Sequence, residues 1–179
     1  MPVQQEAPAL TDSLSRYRAE WPIRAYDRER VGGPDELRDV TSSEDVSSFR
    51  LPPADPYVEG APPIGGFGDG SDKFLWVVRS ADVPYAPERG ATGRTIAGRG
   101  KLSHTNLTGG ADAHCGGELW FRNHRSVWLT GGSGRYEPRS AQELEAVVDA
   151  LRTAGYEVTS AGWSAERGGP ARYFREEAA

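Results

Sequence analysis

The residues best suited to chemistry crowd into one window, Arg89–Arg139. It holds all three histidines (His104, His114, His124), the lone cysteine Cys115, and the glycine pairs Gly109-Gly110, Gly116-Gly117 and Gly131-Gly132. Its charge opposes that of its surroundings. Arg89–Ser140 carries eight Lys/Arg against three Asp/Glu, whereas Met1–Glu88 carries nine against 16 and the whole chain is −5. A cationic, glycine-rich, histidine-bearing segment inside an acidic protein predicts a site for an anionic ligand.

Two stretches of the window carry most of that chemistry. In Lys101-Leu102-Ser103-His104-Thr105-Asn106, an extended backbone would put Lys101, Ser103 and Thr105 on one face and Leu102, His104 and Asn106 on the other. A histidine in a basic setting titrates near neutral pH and suits a general base or acid; the alternative is a histidine hydrogen-bonded to a loop carbonyl. In Gly131-Gly132-Ser133-Gly134-Arg135-Tyr136, consecutive glycines let backbone N–H groups converge on an anion. Ser133 adds a hydroxyl, Arg135 a planar fork for phosphate or carboxylate, and Tyr136 a ring. The alternative is a strand-to-helix loop whose glycines meet turn geometry. Gly93–Lys101 reads as a further basic loop over the same site. The expected catalytic set is therefore His104, Lys101, Arg135 and Ser133. Gly131, Gly132, Gly134, Tyr136, Arg99, Thr105 and Asn106 are the expected ligand contacts.

The spacing excludes several familiar devices. Arg135 stands where a nucleophile elbow needs glycine, and no Gly-Lys-Ser/Thr precedes a helix as a Walker loop requires. His104, His114, Cys115 and His124 number enough for a metal, but they match no compact zinc spacing and no acidic cluster accompanies them. Cys115, beside His114 and ahead of Gly116-Gly117, is a conceivable nucleophile without a motif for its base. No metal or cofactor is expected.

A base, cations and backbone donors in one window are the parts that metal-free phosphodiester chemistry needs. In these ingredients and in rough architecture, not in any aligned stretch, the chain resembles small metal-independent endoribonucleases, including those used as toxins. The resemblance implies a small hydrolase or phosphodiester transferase acting on RNA or a nucleotide-type anion. The alternative is a non-catalytic binding, immunity or accessory protein that recognises an anionic ligand, or a protein partner through the acidic N-terminal half.

The elements that must position these residues are unevenly legible. Leu10, Leu14, Tyr17 and Trp21 mark one face of a helix ending before Pro22. Pro34-Asp35-Glu36-Leu37 reads as a short helix start. Thr41–Asp72, with five prolines and five glycines, reads as an irregular connector. Phe74–Val78 is a buried strand, and Gly117–Phe121 and Ser126–Thr130 form a hairpin around Arg122–Arg125. Ser140 and Glu143 make a capping box, followed by the apolar stripe Leu144, Val147, Val148, Leu151 and a stop at Gly155. Tyr156–Thr159 and Ala171–Arg175 are expected to close the fold as strands around a Gly168-Gly169-Pro170 turn.

The expected architecture is α+β, with a mostly antiparallel sheet, a capped helix in the C-terminal half and a Pro/Gly-rich N-terminal arm. The arm spans 1–72, and the core domain carrying the basic site spans 73–179. Mean hydropathy is −0.62, and no apolar stretch approaches the roughly 18 residues that span a bilayer. With a single cysteine, this suggests a cytoplasmic chain without a membrane partner.

Overall fold

A computed structural model describes residues 8–49, 64 and 72–175. Helix α1 (Pro8–Glu20) forms on the predicted stripe: Leu10, Leu14 and Tyr17 are buried, and the turn closes with Trp21 N–H donating to the Tyr17 carbonyl just before Pro22. Helix α2 (Ala141–Thr153) starts at Ser140, whose hydroxyl accepts the Glu143 N–H, and buries Leu144, Val147, Val148 and Leu151. After the C-cap Ala154, Gly155 takes φ 104°, a conformation that disfavours side chains with a Cβ. The capping box departs from expectation in one respect. The Glu143 carboxylate accepts from Arg139 N–H at 2.5 Å and from the Tyr17 hydroxyl at 2.9 Å. It thereby ties α2 to α1.

The two helices cover one face of a six-stranded sheet: β1 (Ser47–Ser48), β2 (Phe74–Val78), β3 (Pro84–Pro87), β4 (Cys115–Phe121), β5 (Ser126–Thr130) and β6 (Glu157–Ser160), in the order β1-β3-β2-β4-β5-β6. Every neighbouring pair is antiparallel except β5 and β6, which run parallel because α2 crosses over between them. The fold is α+β with a mostly antiparallel sheet. Period-two alternation sorts each strand's side chains. Phe74, Trp76, Val78, Leu119 and Phe121 join the core beneath α1 and α2, together with Leu10, Leu14 and Tyr17. Leu75 and Val77 point to the other face, where Ile96, Leu102, Leu107 and Tyr136 cover them. Trp120, Trp128 and Phe174 form a small aromatic cluster.

Three expectations need correction. Residues 101–106 are not extended: Ser103 caps a 3-10 helix over His104–Leu107, so the alternating faces do not exist. The C-terminal turn is shifted. Ala165–Gly168 turns, while Gly169–Pro170 forms β8 against β7 (Trp163–Ser164). Ala171–Arg175 is not a regular strand; Phe174 anchors it, meeting Trp128 edge-on at 4.9 Å and Trp120 at 5.9 Å. Strand β3 went unread because Pro84 and Pro87 bound it. Most of the expected connector lies outside the described residues. Its described start, 41–49, turns and then enters β1. Among the described residues, no helix is long and apolar enough to cross a membrane.

Strand β4 depends on a close approach. A Cβ on Gly117 would lie 1.9 Å from the Thr130 carbonyl oxygen, and one on Gly116 would lie 2.5 Å from that of Trp76. Gly117→Ala is therefore expected to destabilise the protein by about 2 kcal/mol or more, the scale of an overpacking that the backbone must absorb. Leu144→Ala, which empties a buried site on α2, should cost about 2–5 kcal/mol. Urea denaturation measures both; a Gly117→Ala protein of native stability would show that the approach is not constraining.

Candidate functional site

On the sheet face opposite α1 and α2 lies a cavity of about 420 Å3. Its walls draw on distant parts of the chain: Lys73 and Leu75 from β2 and its approach, Glu118 and Trp120 from β4, and Arg99 to His104 from one loop of the basic window. Gly132 to Arg135 come from the other loop, and Arg167 and Pro170 to Tyr173 from the C-terminal segment.

His104 sits at the joint between sheet and loop. Pairing of β4 with β5 ends at Glu118–Thr130; beyond it the Gly116 N–H donates to the Tyr136 carbonyl, and His104 Nε2 lies 2.8 Å from the Gly117 carbonyl. A carbonyl only accepts, so Nε2 carries the proton, and in the neutral ring Nδ1 holds the lone pair. Nδ1 has no hydrogen-bond partner among the described residues, and the ring lines the cavity. Burial pushes the imidazole pKa down to about 4, against the opposing pull of the Gly117 bond and the nearby Glu88 carboxylate. The histidine is thus neutral at pH 7, chiefly by desolvation, with Lys73 and Arg135 adding a smaller push in the same direction. So low a pKa makes it a weak base, and leaves its lone pair unprotonated and available to a donor at neutral pH.

The expected residues divide into two groups. Arg99, Lys101, His104, Gly132, Ser133, Gly134 and Arg135 all line the cavity. Thr105, Asn106, Gly131 and Tyr136 do not; the first two were turned inward by the 3-10 helix. Asn106 holds the N-terminal segment instead, its Nδ2 donating to the carbonyls of Asp35 at 2.8 Å and Arg38 at 2.9 Å. Thr105 is fully buried, and its hydroxyl has no hydrogen-bond partner among the described residues. Tyr136 is buried, with its hydroxyl donating to Ala111 O at 2.7 Å and lying 2.9 Å from the Thr108 hydroxyl. Burial raises its phenol to about 12. Gly131 faces Pro138 and Pro170 across distances that leave no room for a Cβ. The glycine loop is only partly open to an anion: Ser133 Oγ already accepts from the N–H groups of Arg135 and Tyr136, and Thr130 Oγ1 accepts from Gly132 N–H.

Charge in the cavity is mixed. Glu36, from the 3-10 helix Pro34–Leu37, is buried, with its carboxylate shared between Arg99 and Arg135, the latter at 3.2 Å. Arg135 also donates to the Arg30 carbonyl at 2.7 Å, while its buried Nε–H has no partner among the described residues. Lys73 Nζ lies 2.9 Å from Glu118 Oε1 and 3.3 Å from Glu88 Oε2, and Lys101 Nζ is 4.0 Å from Glu88. Burial alone would lower the Lys73 pKa, but the two carboxylates raise it, so the ammonium stays charged.

These acids and Lys73 escaped the sequence reading because they fall outside the basic window or, like Glu118, were read as strand filler. The signal for Glu118 was present. It is two residues from Trp120 on a strand whose other face is apolar.

The other candidates are dispersed. Cys115 is buried, accepts from the Tyr17 hydroxyl at 3.0 Å, and its thiol is pushed up to about 12 by burial, which leaves it a packed thiol. His114 Nδ1 donates to the Trp21 carbonyl at 2.7 Å. Among the described residues, no three His, Cys, Asp or Glu side chains gather as a metal requires. No family model, no curated protein and no solved structure matches the chain.

The buried imidazole ties stability to pH. Above pH 6.5 it is neutral in both folded and unfolded chains. Between 6.5 and about 4 the unfolded chain takes up a proton that the folded one declines, so acidification favours unfolding. The loss is on the order of 3 kcal/mol when complete. His104→Gln retains a donor for Gly117 O but cannot titrate. Its denaturation free energy should fall less than that of the wild type between pH 7 and pH 4, and identical pH profiles would contradict the buried neutral imidazole.

Proposed function

We propose that this cavity binds a nucleotide-type, phosphate-bearing ligand. The reading is supported by one juxtaposition: Arg99, Lys101 and Arg135, from two loops of the basic window, surround a cavity whose walls include Leu75, Leu102, Trp120 and Tyr173. Guanidinium and ammonium groups suit phosphate oxygens, and apolar and aromatic walls suit a flat heterocycle.

Turnover of that ligand is the second reading, and His104 favours it. A neutral imidazole fixed by Nε2 lines the cavity, where it is available to a bound molecule as an acceptor and a weak base. In this reading the chain is a small hydrolase or phosphodiester transferase working without a metal, on RNA or a nucleotide. The exposed carboxylates Asp12, Glu20, Glu29 and Glu44 are what the acidic N-terminal half offers a protein partner, because Glu36, Asp45 and Asp82 serve internal contacts.

Incubation with short RNA and with nucleoside monophosphates in EDTA, followed by product analysis and calorimetry, separates the readings. Product that forms in chelator and is lost in a folded His104→Gln protein supports turnover. Binding without product supports a binding protein, and neither outcome with any of these ligands removes both. Lys101→Ala removes a partly exposed cation whose one ion pair among the described residues is the 4.0 Å contact to Glu88. It should weaken phosphate-bearing ligands about tenfold, the scale of one charge-assisted contact, with unfolding unchanged.

A further inference from the structure

We propose that Arg172 takes the phosphate of the bound ligand, alongside Lys101, and that Phe174 is the positioning residue that holds Arg172 at the cavity wall. This inference rests on the nucleotide reading above and gives the phosphate a partner in the C-terminal segment, outside the basic window.

The cations that line the cavity are Lys73, Arg99, Lys101, Arg135, Arg167 and Arg172. All but Arg172 already have partners. Lys73 contacts Glu88 and Glu118, Arg99 and Arg135 share Glu36, and Lys101 lies 4.0 Å from Glu88. Arg167 Nη1 donates to the Pro170 carbonyl at 2.7 Å. Arg172 has neither an ion pair nor a hydrogen bond among the described residues, although Asp72, Glu88, Glu118 and Glu137 line the same cavity. Its N–H donors are all open to a ligand. A committed guanidinium must give up a protein contact to reach a phosphate, which cancels much of the gain, whereas an uncommitted one exchanges only water. The planar fork also matches pairs of phosphate oxygens.

An exposed arginine serves a ligand only where its backbone is held, because ordering a long side chain costs entropy. Among the described residues, segment 163–175 has no backbone pairing with the six-stranded sheet. Strands β7 and β8 pair with each other, the Gly168 N–H donates to the Ala165 carbonyl and the Ala171 N–H to that of Gly162, and a single bridge joins Phe174 to Ile64. Side chains supply the hold on the large sheet. Pro170 packs against Gly131, and Phe174, 2% exposed, meets Trp128 at 4.9 Å and Trp120 at 5.9 Å. Trp120 is itself part of the cavity wall. The aromatic contact therefore fixes the backbone next to Arg172, two residues before Phe174, against the same strand that walls the cavity.

Matched pairs that differ in the phosphate provide the test. Wild-type and variant proteins are titrated calorimetrically with AMP against adenosine and with UMP against uridine, at low ionic strength. The wild type is expected to prefer each nucleotide to its nucleoside by about tenfold or more. Arg172→Ala should lose about tenfold in nucleotide affinity while nucleoside binding stays within about twofold. Arg175→Ala removes the same charge from the same segment, at an exposed position that does not line the cavity, and should leave the preference intact. Phe174→Ala should reduce the preference as Arg172→Ala does and add nothing in the Arg172→Ala background, because it acts through that residue. Phe174→Leu, which keeps an apolar anchor, should restore most of it. An undiminished preference in Arg172→Ala, or an equal loss in Arg175→Ala, overturns the assignment while leaving the nucleotide reading intact. A folded Phe174→Ala protein with full preference overturns the anchoring alone. Nucleotide and nucleoside bound equally by the wild type, or neither bound, would remove both proposals. If Phe174→Ala does not fold, Trp128→Leu removes the facing ring at a position that does not line the cavity and is read the same way.

Discussion

The hydrogen bond between His104 and the Gly117 carbonyl is the contact from which the site is built outward. It forms because β4 presents two glycines where its pairing with β5 runs out, so that backbone and ring approach without a Cβ between them. The bond seats the 3-10 helix His104–Leu107 on the sheet. Asn106 in that helix then holds the carbonyls of Asp35 and Arg38, which brings Glu36 to Arg99 and Arg135. Each contact fixes the partner of the next. The sequence of dependence runs from a backbone packing constraint to the placement of charge.

Charge at the site also behaves differently from charge along the sequence. The basic window is basic only as a segment. In three dimensions Glu36 answers two of its arginines, Glu88 and Glu118 enter the same cavity, and Asp45 accepts from Thr92. The compensation is unequal in depth: buried pairs gain little net stability from their Coulomb attraction once desolvation is counted, but they hold long side chains in one arrangement. Positioning is the return from these ion pairs more than stability.

What could be read from the sequence follows from which signals are local. Helix α2 was legible because cap, stripe and stop all lie within 16 residues of one another, Ser140 to Gly155. The β4–β5 hairpin was legible for the same reason. The Glu143 carboxylate was assigned to the wrong amide, because its choice depends on Tyr17 packing from α1, a partner 126 residues away. Phe174 looked like a strand residue, but its surroundings are Trp120 and Trp128, which no local pattern connects to it. In the cavity, Arg99, Lys101, His104, Ser133 and Arg135 were found through clustering by type. Thr105, Asn106 and Tyr136 were included because they neighbour those residues in sequence, and a single turn of 3-10 helix sent two of them the other way. Glu36, Lys73 and Glu88 reach the site only through tertiary pairing, which charge counts over segments average away.

The cavity is lined from Asp72 to Tyr173, with Glu36 bracing two of its arginines from outside that span. No contiguous fragment shorter than most of the chain can therefore present it. Occupancy is a property of the completed fold, and any molecule that fills the cavity resists unfolding everywhere at once. At a hundred times its dissociation constant such a ligand adds about 2.7 kcal/mol to the free energy of unfolding. Helices on the far side of the sheet, in contact with none of it, would share that protection.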